Sequence, residues 1–169
     1  VIIDSATYTI STHATIQGIL RISTTQTTNK PKLLFNAQII LNNCTLTVFG
    51  VDVERGSVVM PSSQDGCFIA SDGVSTLNLI SNTNTMLVGG LINERYLTTG
   101  VLNIIARNCR FTGANTTRIY GNNTGQDTTH LVNLVLKGVT YSGGLESLSN
   151  KGWNIPTALR GNIIGVALS

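Results

Sequence analysis

Residues 104–113 read IIARNCRFTG, and residues 134–143 read LVLKGVTYSG. Set one over the other, an apolar run meets an apolar run, Arg107 meets Lys137, and Asn108 meets Gly138. Cys109 then meets Val139, Phe111 meets Tyr141, and Gly113 meets Gly143, an offset of 30 residues. An earlier copy places Leu41-Asn42-Asn43-Cys44-Thr45-Leu46 on residues 106–111. A looser one runs Leu77-Asn78-Leu79-Ile80-Ser81-Asn82 and ends in Val88-Gly89-Gly90. Repeats of 25–30 residues with variable insertions have the period of a solenoid coil.

The repeat also says what each coil must do. One coil is two or three short strands joined by tight turns, and it cannot bury its own apolar face. Stacking closes a common core and pairs each strand with its equivalents above and below. Asn43, Asn108 and Gly138 fall where the backbone turns through the left-handed region, which Gly and Asn adopt at least cost. Ile, Leu, Val, Cys and Phe are expected inward, with Phe111 over Tyr141. Thr, Ser, Asn and an occasional Arg are expected outward.

Composition agrees. Charged residues make up 11% of the 169 residues and hydrophobic ones 41%, where an ordinary soluble domain is about 25% charged. Thr, Asn, Ser and Gly fill the difference. Few stretches carry helical spacing over three turns, and β-branched residues favour pleated backbone. Strands are predicted at 1–3, 6–10, 15–22, 32–35, 38–41, 45–49, 57–60, 67–70, 76–80, 86–88, 101–106, 110–112, 117–120, 131–136 and 140–141, with turns between them. The fold expected is all-β, a right-handed parallel β-helix with irregular or capping segments at both ends. Residues 1–32 would be a cap or first coils, 33–144 the coils, and 145–169 a cap or exit segment.

The formal charge of +3 is spread over isolated Lys and Arg, without the basic stripe and interleaved aromatics of a nucleic-acid binder. No apolar run approaches a membrane span. Neither nucleic-acid binding nor membrane insertion is expected. Cys44, Cys67 and Cys109 are odd in number, and Val139 replaces Cys at the third copy, so small buried free thiols are predicted. With no C-x-x-C spacing no metal site is expected, and no cofactor motif occurs. The chain begins at Val1 without Met and without a signal-peptide pattern. It reads as a piece of a larger protein.

The three repeats, and NCRFTG (108–113) in particular, resemble the coil ends of the single-stranded, pectin-lyase-like β-helices of bacteriophage tailspikes and tail fibres. The resemblance covers residues 33–144 and matches no catalytic motif. It implies a homotrimer on a virion tail or in the extracellular space, assembled with other tail proteins and contacting a host surface polysaccharide. The function expected is structural and receptor-binding. The alternatives are a polysaccharide-degrading glycosidase or lyase on the same scaffold, or a bacterial adhesin passenger.

Eight acids are available to an enzyme. Asp52 and Glu54 share one face of a strand at roughly 7 Å, within the carboxylate separations that glycosidases use. They are the catalytic candidates, and a solvated strand edge is the plainer reading. Asp65, Asp72 and Glu94 are possible members of an inter-coil groove. His130, three residues after Asp127, invites a base-and-orienter reading, against a surface turn. Tyr96, Tyr120 and Trp153 lie outside the strict repeat and are the candidates for glycan binding at the surface.

Overall fold

The computed structural model describes residues 1–4, 6–56, 66–86, 90–114, 117–121, 129–147 and 149–168, with backbone alone for Arg95, Ser147, Ser149 and Asn150. The predicted strand at 57–60, Asp65 and Asp127 lie outside the described residues. The fold is an all-β parallel solenoid of about five turns, 65% strand.

One sheet stacks six short strands in chain order: β1 (Thr7–Ile10), β3 (Lys32–Phe35), β5 (Asp52–Arg55), β7 (Thr83–Met86), β9 (Arg110–Gly113) and β12 (Thr140–Ser142). The other stacks β2 (Ala14–Ser23), β4 (Ile39–Phe49), β6 (Gly66–Ile80), β8 (Gly90–Arg107), β11 (Leu131–Lys137) and β13 (Arg160–Ile164), with β10 (Tyr120–Gly121) on β8. Every pairing is parallel. Strands β4, β6 and β8 are long because each bends and serves two sides of its coil. The bend follows a line of left-handed residues, Gly18, Asn43, Gly73 and Gly100, whose φ angles run from 48° to 112°. Gly100 has no alternative there, since a Cβ would lie 2.1 Å from the Gly73 carbonyl oxygen.

A second left-handed line, Gly50, Ser81, Asn108 and Gly138, with φ of 69°, 56°, 52° and 62°, turns each coil into the six-stranded sheet. This line is the NCRFTG corner. It corrects the oldest repeat: Asn43 is left-handed as expected, but on the other corner, and Cys44 is not the equivalent of Cys109. The residues matching Asn108-Cys109 are Gly50-Val51 and Ser81-Asn82, because the strands that follow are in register at Val53↔Asn84↔Phe111↔Tyr141.

The core consists of side-chain stacks along the column. Ile22, Val48, Leu79, Ala106 and Leu136 form one line; Leu20, Leu46, Leu77, Ile104, Leu134 and Ile163 form another. From β4 to β11 these positions are nearly inaccessible, and each buried Leu or Ile contributes about 1.5–3 kcal/mol. The three cysteines are buried and free, as the sequence indicated. Phe111 and Tyr141 stack at 5.9 Å with rings 24° apart.

The two ends differ. Residues Val1–Ile3 run along the last part of β2, with Ile3 N–H donating to Ser23 O. At the other end, Leu145, Trp153 and Ile155 are buried over the last coil. The Trp153 ring meets Phe111 edge-on at 5.6 Å, and its Nε1–H donates to Tyr141 Oη at 3.1 Å. A buried indole finds a partner for its N–H in this way while covering the column's interior.

Candidate functional site

Asp52 and Glu54 do project from one face of β5, alternating with buried Val53 and Arg55. Both are engaged in stacking. Asp52 Oδ1 accepts the Thr83 N–H of the next coil at 2.7 Å. Glu54 pairs with Lys32 of the preceding coil, which lies two residues along β3 from Leu34, the register partner of Glu54. Arg55 turns inward, where Nη1–H donates to Gly90 O at 3.3 Å.

The surface placement expected for two aromatics is corrected. Tyr120 and Trp153 are fully buried, because both belong to the column: Tyr120 pairs with Ile92 and bridges to Trp153. Tyr96 is the exposed member of the three, at 45%. On the paired strand, one residue after Tyr96's register partner Ser71, the exposed Asp72 carboxylate accepts the N–H groups of Thr98 and Thr99 and the Thr98 hydroxyl. The Thr99 and Thr98 amides hold its carboxyl below the usual range, because they stabilise the charged form.

Sequence spacing did not find the densest polar cluster. Glu94 is buried on β8, and its Oε2 lies 2.7 Å from His130 Nε2. The Tyr120 hydroxyl donates to the same oxygen. His130 is 1% exposed, and its Nδ1 has no hydrogen-bond partner among the described residues. A neutral imidazole carrying its proton on Nε2 fits this geometry. It donates to the carboxylate and leaves only a lone pair on Nδ1. Glu94 lies on one coil and Tyr120 and His130 on the next, 26 and 36 residues further along the chain, so no local motif announces them. Glu94, offered by the sequence as a member of an inter-coil groove, is buried.

A carboxylate, an imidazole and a phenol are groups able to move protons. In this conformation the cluster is sealed, and its direct effect is to tie two neighbouring coils together. Among the described residues no three His, Cys, Asp or Glu side chains gather as a metal site.

The outward residues of the long sheet form ladders. Asn78 Nδ2–H donates to Thr47 Oγ1 at 3.1 Å. Asn103 Nδ2–H donates to Thr76 Oγ1 at 3.2 Å, and Asn133 Nδ2–H to Asn103 Oδ1 at 2.8 Å. Asn162 N–H then donates to Asn133 Oδ1 at 2.7 Å. No family model, curated protein or solved structure matches the chain.

Proposed function

We propose that this chain is a structural and receptor-binding segment of a phage tailspike or tail fibre, a rigid shaft whose exterior contacts a host surface glycan. The observation that carries the reading is the ladder Thr76–Asn103–Asn133–Asn162. Amides and hydroxyls fixed at strand spacing, about 4.8 Å apart, offer preorganised partners to sugar hydroxyls. Their fixed geometry reduces the ordering cost of binding. Exposed Tyr96 adds a ring of the kind that carries a sugar's apolar face. Homotrimeric assembly and a place on a virion tail belong to the same proposal.

The test is binding to capsular and lipopolysaccharide preparations from candidate hosts, with light scattering for assembly. Saturable binding by a trimer is the expected result; a monomer that binds none of them contradicts the reading.

A second reading rests on Glu94, His130 and Tyr120: a polysaccharide-cleaving enzyme with proton-transfer groups at that cluster. New reducing ends or unsaturated uronate absorbance, lost in Glu94→Gln, would establish it. The same assay on Asp52→Asn and Glu54→Gln tests the pair chosen from sequence.

A further inference from the structure

The outward rows of two neighbouring strands are chemical copies. On β8 the row is Val101, Asn103, Ile105 and Arg107; on β11 it is Leu131, Asn133, Val135 and Lys137. The four pairs are in register. Core packing does not require this likeness, since these positions alternate with the buried Leu102, Ile104, Ala106 and Val132, Leu134, Leu136. Earlier coils differ: β4 presents Thr45, Thr47 and Phe49 in the corresponding places, and β6 presents Thr76, Asn78 and Ile80. The face therefore changes along the column from hydroxyl-rich to a band of amide, apolar and cationic lines.

Arg107 and Lys137 are both exposed and stacked on adjacent rungs. Like charges directly opposite in a sheet repel. Among the described residues neither has an acidic partner. Ile105 and Val135 lie next to them, half-buried, with the Asn103–Asn133 amides beyond. Two uncompensated cations, an apolar strip and fixed amides match a ligand with anionic groups, flat apolar faces and hydroxyls.

We propose that this face of β8 and β11 binds an acidic polysaccharide. Carboxylates of its sugar acids meet Arg107 and Lys137, and its ring faces lie on Ile105 and Val135. The proposal rests on the glycan-binding reading above and adds the ligand's charge and its location.

The test titrates the intact protein with polygalacturonate, with dextran sulfate and with neutral dextran, at low and high salt. Polygalacturonate is expected to bind, more weakly as salt screens the contact, and dextran is not. Arg107→Gln/Lys137→Gln should weaken polygalacturonate by about tenfold, equivalent to losing one charge-assisted contact. Ile105→Thr/Val135→Thr should also weaken it, and the charge-matched Lys30→Gln/Arg118→Gln should leave it unchanged. Lys30, Arg107, Arg118 and Lys137 are exposed and Ile105 and Val135 half-buried, and circular dichroism checks that the three variants fold.

Equal weakening by both charge-removing pairs, or a preference for dextran sulfate, overturns the inference. So does self-association in sedimentation that Ile105→Thr/Val135→Thr abolishes, which would make the face a contact between copies. Binding of neutral dextran at a site indifferent to Arg107 and Lys137 would defeat this inference while sparing the glycan reading. Failure to bind any polysaccharide, host preparations included, would defeat both.

Discussion

Glu94 Oε2 sits 2.7 Å from Nε2 of His130, with the two side chains 4% and 0% exposed. The pair joins β8 to the residue that leads into β11. Removing one partner leaves the other without its hydrogen bond in the interior, and an unsatisfied buried group typically costs about 1–3 kcal/mol. Glu94→Gln and His130→Gln should each destabilise by that order in urea unfolding. The double variant should cost clearly less than the two single costs added together, because the second change removes a group already stranded. Additive costs would show that the contact carries no coupling.

Asn84 presents the reverse case. It is fully buried on β7 between Val53 and Phe111, and neither polar atom of its amide has a hydrogen-bond partner among the described residues. Its polar neighbour is the Cys109 thiol, a weak donor. An unsatisfied buried amide costs about 1–3 kcal/mol. Asn84→Val should therefore raise the urea midpoint without changing the slope of the transition. A lower midpoint would mean that the amide is held by a partner the packing does not reveal.

The thiols supply a pH dependence. Burial pushes Cys67 up to about 12, opposed by the nearby Arg55 charge. A folded-state value above the unfolded one makes the contribution complete below the unfolded value, near 9. It is lost as pH rises from there through about 12, at roughly 1.4 kcal/mol for each pH unit in that window. Between pH 9 and 11 the protein should lose more stability than Cys67→Ala does. Native protein at pH 8 should be inert to a thiol reagent, with three thiols appearing on unfolding. Parallel pH curves for the two proteins would contradict the account.

The sequence made the column legible because stacking imposes its own repeat. Phe111 and Tyr141 stack since they close equivalent corners, and Asn108 and Gly138 are left-handed for the same reason. Cys44 misled because each coil has two left-handed corners, and Asn-Cys fits either one. Tyr120 and Trp153 escaped the repeat in sequence yet sit in the column in space, so distance from the pattern was a poor guide to exposure. The Glu94–His130 contact was invisible because Glu94 falls between the two stretches of β8 that pair with the next coil, Ile92–Asn93 and from Val101 on, where side-chain alternation gives no register. The paired outward rows of β8 and β11 were legible as Arg107 over Lys137, but their meaning needed the knowledge of which face is outside.

Parallel stacking in a single register is the central claim, and Thr85 and Thr112 test it most directly. They are register partners on β7 and β9, with Thr112 Oγ1 donating to Thr85 Oγ1 at 3.0 Å. Thr85→Cys/Thr112→Cys should close a disulfide under mild oxidation, read by peptide mapping, because register partners lie within bridging distance. Thr83→Cys/Thr112→Cys, one pleat repeat out of step, should remain reduced. Closure of the offset pair with the matched pair left open would contradict the column.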